Sequence, residues 1–224
     1  MNEKCWYKDV CEMECGSSCI RYLEMEYLVD NSGIPIINRY PVSLIPDDVD
    51  YDAFCKLAGI KDNILEFVNT GKNLFISSSN TGNGKTSWSI KLLLKYFDQV
   101  WAGNGFRLRG LFIHTPTLLT ELKNFNDPLS TSYKDNILSA DLVVWDDIAS
   151  TEMTNYDLTQ LLIYVDNRIM NGKSNIYTGN VDSNINLQRL MGVRLASRIW
   201  NTSELVVFRG KDRRVSNGSV AGSF

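Results

Sequence analysis

Two kinds of apolar pattern alternate along the chain from about Asp50. One kind is a short unbroken run bounded by turn formers or charges: "KNLFISS", "RGLFIHT", "ADLVVWDD", "SNIYTGN" and "SELVVFRG". Runs this short read as strands, and their lack of clean alternation predicts strands buried on both faces. The other kind spaces its apolar residues three and four apart. "KTSWSIKLLLKYFDQVWAG" places them at 88, 90, 92, 93, 94, 96 and 97 and predicts a helix. "PTLLTELKNF" opens a helix with proline, "NYDLTQLLIYVDNRIMNG" is a helix stopped by Gly172, and "NLQRLMGVRLASRIW" reads as one continuous helix. "DYDAFCKLAGIKDNILEFVNTG" predicts two short helices, with Cys55 as a small buried hydrophobe. Strands alternating with helices predict an α/β domain with a parallel sheet covered on both sides.

Upstream, "IRYLEMEYLV" is amphipathic, and "IPIINRYPVSLIPDD" holds three of the five prolines and reads as an extended linker. The last nine residues, "SNGSVAGSF", are small and polar. The predicted organisation is a front module over 1–30, a linker over 31–49, a main domain over 50–215 and a tail over 216–224.

Composition narrows the class. The chain has 224 residues, 44% hydrophobic and 22% charged, which suits one ordinary globular domain with a small appendage. No apolar run approaches the ~20 residues needed to cross a bilayer, and the polar start does not resemble a signal peptide, so no membrane contact and a cytoplasmic location are expected. Net charge is −3, against a wholly basic nucleic-acid binder. Residues 1–30 carry three Lys/Arg against seven Asp/Glu, whereas residues 189–224 carry seven against two. This asymmetry suits two contact surfaces, or simply solvated faces. Cys5, Cys11, Cys15 and Cys19 cluster in the acidic front. Four thiolates complete a tetrahedral zinc shell, although the spacing is not the usual pair of knuckles; an iron–sulfur centre and free thiols are the alternatives.

The chemistry concentrates in "SSSNTGNGKTS", between a predicted strand and a predicted helix. The phosphate-loop pattern G-x-x-x-x-G-K-[ST] is met at Gly84, Lys85 and Thr86, with Ser79 in place of the first glycine. The candidate nucleotide contacts run through Ser79, Asn80, Thr81, Gly82, Asn83, Gly84, Lys85, Thr86 and Ser87. Backbone N–H groups and the helix end would cradle the phosphates, Lys85 would neutralise them, and Thr86 would hold Mg²⁺. Such a site needs an acid at the end of a neighbouring apolar strand. "DLVVWDDIAS" offers Asp146 for the metal and Asp147 to polarise the attacking water. Asn180 at the end of "NIYTGN" could orient that water or merely form a turn. Arg194 and Arg198 lie one helical turn apart, suited to a neighbouring subunit's nucleotide or to an ordinary salt-bridged face.

In order, "SSSNTGNGKTS", "GLFIHTPTLLTELK", "ADLVVWDDIAS", "NIYTGN", "RLASRI" and "FRGKDRR" resemble the AAA+ domain of bacterial and phage helicase loaders of the DnaC/DnaI type, related to the IstB transposition ATPases. The resemblance covers about residues 50–215 and implies a P-loop AAA+ core without a C-terminal lid, preceded by a small zinc-binding module that grips the helicase. It implies ATP hydrolysis with Mg²⁺, self-assembly with ATP at subunit interfaces, and binding of a hexameric replicative helicase and single-stranded DNA. Arg198 matches the finger position, with Arg194 the alternative. The segment between the second and third strands would touch single strands, and offers Lys123, Phe125 and Tyr133, unless the two aromatics only pack. The competing reading is a nucleotide-gated adaptor or IstB-like transposition helper with little hydrolysis. The short chain and brisk linker suggest a phage-encoded protein.

Overall fold

The computed structural model describes residues 19–39, 43–100, 106–122, 128–150 and 153–212. Five strands form one parallel sheet: β1 (Asn73–Ser78), β2 (Gly110–His114), β3 (Leu142–Asp146), β4 (Ser174–Gly179) and β5 (Ser203–Phe208), in the order β2-β3-β4-β1-β5. Around it lie α1 (Ile20–Asp30), α2 (Tyr51–Asp62), α3 (Ile64–Asn69), α4 (Lys85–Gln99), α5 (Thr115–Glu121), α6 (Pro128–Ser139), α7 (Asn155–Met170) and α8 (Asn184–Thr202).

Alternate residues of each strand enter two different cores. Leu74, Ile76, Val144 and Ile176 pack with α1, α2, α3 and α4. Phe75, Val143, Trp145 and Tyr177 pack with α5, α6, α7 and α8. Both faces are apolar, so the strand sequences lose the alternation of a half-solvated sheet. The layers are tied by Arg168, a fully buried cation on α7. It donates to Asn175 Oδ1 at 2.7 Å, to the carbonyls of Ile137 and Ala140 at 2.6 and 2.8 Å, and to Ser174 O at 2.6 Å. Burial lowers its pKa to about 10, which still leaves it charged at neutral pH.

Several expectations change. β3 is not β1's neighbour: β4 is hydrogen-bonded between them, so Asp146 approaches the phosphate loop across an intervening strand. The last helix is not continuous; Gly192 takes φ 74° and ψ 159° and breaks α8. Only glycine adopts that conformation at little cost, which is why the break falls there. Cys55 is exposed rather than buried, because α2 turns Ala53, Phe54 and Leu57 to the core. α6, in the segment between the second and third strands, has no counterpart among the helices predicted above.

The predicted front module divides. Met25, Leu28 and Val29 of α1, with Ile34 beyond it, belong to the core beside α4. Phe112 N of the edge strand β2 donates to Ser32 O at 2.6 Å, so this segment also occupies part of the sheet's open edge. Cys19 precedes α1 at its N-cap and is half-buried; Cys5, Cys11 and Cys15 lie outside the described residues.

Candidate functional site

Strand β1 ends at Ser78 and the chain then turns back on itself before α4. Ser78 Oγ organises the turn: it accepts from Asn80 N at 2.9 Å and from Asn83 Nδ2. Gly82 and Gly84 take φ 69° and 99°, which lets the backbone curl ahead of the helix. Lys85, the first helical residue, is buried; its Nζ donates to Asn80 O at 2.9 Å and Asn83 Oδ1 at 3.2 Å. The ammonium is thereby held across the loop, and the N-terminal turn of a 15-residue helix aims at the same concavity.

The outer wall of the loop comes from distant sequence. Asn80 Nδ2 donates to Gly210 O at 3.2 Å. The buried Asp50 carboxylate accepts from Arg209 N at 2.7 Å and Gly210 N at 3.1 Å, fixing the segment after β5. Asp212 reaches Thr81 Oγ1 at 3.5 Å, and its carboxylate lies where a Cβ on Gly82 would stand. Gly82 is therefore required twice, by its φ and by this contact.

The acids meet the loop through hydroxyls. Thr86 Oγ1, one residue into α4, donates to Asp146 Oδ1 at 2.8 Å across 60 residues of sequence. Thr178 Oγ1 of β4 donates to the same Oδ1 at 2.7 Å and accepts from Asp147 N at 3.0 Å. Ile148 N closes the turn onto Thr178 O at 2.9 Å. Burial raises the pKa of Asp146, and the bonds from Thr178 and Thr86 only partly offset it. Asp147 has φ 54°, a left-handed conformation uncommon outside glycine and characteristic of constrained sites. Its Oδ2 lies 4.0 Å from Nε2 of His114, the chain's one histidine, at the end of β2. Thr178 and Ser78 escaped the sequence reading because hydroxyl residues at strand ends look like ordinary turn punctuation. The "TGN" following β4's apolar run was the one available hint.

A hydroxyl and a carboxylate oxygen 2.8 Å apart are hard donors. Two Mg²⁺ ligands at 2.0–2.1 Å and right angles stand about 2.9 Å apart. The donor set fits that cation, and the desolvated carboxylate is the group a cation would favour.

Other predicted residues are distributed more widely. Asn180 is exposed at the end of β4 and lines a cavity with Ser79. Arg198 Nε pairs with Asp166 Oδ1 of α7 at 2.7 Å, and both Arg194 and Arg198 line a separate groove between α7 and α8. Tyr133 is half-buried against the core on the α6–α7 side, and burial raises its pKa to about 12. Lys123 and Phe125 lie outside the described residues. Among the described residues no group of three or more His, Cys, Asp or Glu is placed to hold a metal.

No protein-family model matches the chain, and no curated protein matches it. Solved structures do. The crystal structure of the DnaC helicase loader superposes with TM-score 0.63 and 22% identity, covering 74% of this chain and 93% of the loader's. The crystal structure of DnaI gives 0.62 and 17%, covering 79% and 95%. The fold is that of the AAA+ helicase loaders. The replication initiator DnaA bound to AMPPCP and single-stranded DNA shares it at TM-score 0.55 and 16% identity, with 83% of this chain and 50% of that one covered. At these identities the likeness carries the fold alone.

Proposed function

We propose that this chain is a P-loop AAA+ ATPase of replication initiation, which binds a hexameric replicative helicase and helps place it on single-stranded DNA. The supporting observation is the convergence of Thr86 from α4 and Asp146 from β3 beside a preorganised phosphate loop. The fold shared with DnaC and DnaI directs the reading from nucleotide chemistry to helicase loading.

In this reading the N–H groups from Gly82 to Thr86 and the α4 dipole bind the phosphates of ATP. Lys85, already fixed over the loop, balances their charge. Thr86 and Asp146 would hold Mg²⁺, which when bound offsets charge on the transferring phosphoryl group. Asp147, set by its left-handed backbone and by Thr178, accepts a proton from the attacking water, and Asn180 orients that water. Arg198, or Arg194, serves the nucleotide of an adjoining copy, after Arg198 exchanges Asp166 for phosphate. Lys123, Phe125 and Tyr133 are assigned to single-stranded DNA, and the cysteines Cys5, Cys11, Cys15 and Cys19 to a zinc-bound helicase contact.

Steady-state ATPase with and without single-stranded DNA, together with a pull-down of the replicative helicase, tests the proposal. Stimulated turnover lost in Asp147→Ala, with helicase capture by the full chain, is the expected result. Capture without turnover would instead point to the nucleotide-gated adaptor. Neither capture nor nucleotide binding would remove the reading.

A further inference from the structure

The break in α8 separates the arginines of that helix. Beyond Gly192, Arg194 and Arg198 line a cavity of about 440 Å³ with Leu162 and Asp166 of α7. Before it, Arg189 lines a different cavity of about 380 Å³, whose other walls include Ser79, Asn180, Asp182 and Asn186. This second cavity is lined by Ser79 and Asn180, the residues that directly follow β1 and the neighbouring β4, and so reaches the start of the phosphate loop. It also contains Ser79, the residue that departs from the phosphate-loop pattern.

We infer that Arg189 contacts the terminal phosphate of a nucleoside triphosphate held in its own chain's loop, and so distinguishes triphosphate from diphosphate. This rests on the nucleotide-binding reading above. Three observations and one chemical preference carry it. Arg189 is exposed and, among the described residues, forms no ion pair or hydrogen bond, so its guanidinium is available. The cavity's carboxylate, Asp182, is engaged by Asn186 Nδ2 at 2.6 Å rather than by Arg189. The remaining walls near the loop, Ser79 and Asn180, carry uncharged hydrogen-bonding groups suited to phosphate oxygens. Finally, a planar guanidinium fork matches a phosphate bidentately, which an ammonium does not. Arg194 and Arg198, in their separate groove, are left for an adjoining copy.

The test is equilibrium binding of ATP and ADP, with Mg²⁺, to the full chain carrying Arg189, Arg189→Ala or Arg189→Lys. Arg189→Ala should weaken ATP about tenfold, or about 1.4 kcal/mol, and leave ADP within about twofold. Arg189→Lys should recover part of the loss, since it restores the charge without the fork. Equal weakening of both nucleotides, or no change in either, would overturn the inference. So would a fall in single-stranded DNA binding with the ATP-to-ADP ratio unchanged. If the parent chain bound neither nucleotide, the phosphate-loop reading would fail first and this assignment with it. Loss of both nucleotides in Lys85→Ala, alongside an unmoved ratio in Arg189→Ala, would sink the inference and leave the loop reading intact.

Discussion

Thr178→Val probes how the acids are held. The side chain is fully buried, and its hydroxyl makes two bonds, donating to Asp146 at 2.7 Å and accepting from Asp147 N at 3.0 Å. Valine fills nearly the same space, so no cavity opens; the change is the loss of the hydroxyl. A carboxylate losing one of two hydroxyl donors forfeits about 1.5–3 kcal/mol, and an orphaned N–H costs about 1–3. Asp147 is only half-buried, so water restores part of the second term. The methyl that replaces the hydroxyl regains a fraction of this through burial. A net loss of about 2.5 kcal/mol is expected, or a Tm lower by roughly 5–10 °C for a chain of this size. Urea unfolding of the nucleotide-free protein measures the first quantity and calorimetry the second. Turnover should fall about tenfold to a hundredfold, because Asp146 and Asp147 lose their common anchor and small displacements of reacting groups are expensive. Thr178→Ser keeps both bonds and should stay close to the parent in turnover. A valine variant with parental Tm and parental ATPase would refute the claim that this hydroxyl sets the acids.

Other consequences follow from the same geometry. Asp146→Asn should raise the Tm of the nucleotide-free protein at neutral pH while abolishing Mg²⁺-dependent turnover. With its folded pKa raised, the folded state retains a proton that the unfolded chain has released; Asp146 therefore lowers stability as pH rises from near 4 through its raised value, and the penalty persists above. A pH series of melting curves checks this, and the asparagine variant should lack that part of the decline. Gly82→Ala should destabilise the chain by about 1–2 kcal/mol through its left-handed φ and weaken nucleotide binding more than tenfold. Because the new methyl meets Asp212, adding Asp212→Ala should return part of the loss in a double-mutant cycle. Arg198→Ala should change stability by under about 1 kcal/mol, since Arg198 is 53% exposed in its pair with Asp166. ATP affinity should hold, while turnover in assembled protein falls at least a hundredfold. Unchanged turnover would leave Arg198 a surface ion pair and nothing more.

Hydrophobic period and turn chemistry, both local properties, determined the strand and helix alternation, the phosphate loop between β1 and α4, and the double acid closing β3. "NLFISS" is too short an apolar run to stand as a helix of its own, and "GNGKT" is legible because backbone curvature and a helix start are encoded within a few residues. What the tertiary structure alone decided was which distant groups share a volume. Strand order inserts β4 between β1 and β3 and so makes Thr178 the joint between the two acids. Asp212 reaches the loop, and Asp50 braces Gly210 against it, only because the segment after β5 folds back beside it. Gly192 divides α8, and with it the arginines, by a backbone conformation that its neighbours in sequence do not announce. Cys55 shows the same limit in reverse: its surroundings are apolar in sequence, but helical rotation puts it on the solvent side. Short-range energetics write elements into the chain, whereas a site's partners depend on loop closure over tens to hundreds of residues, which no local pattern records.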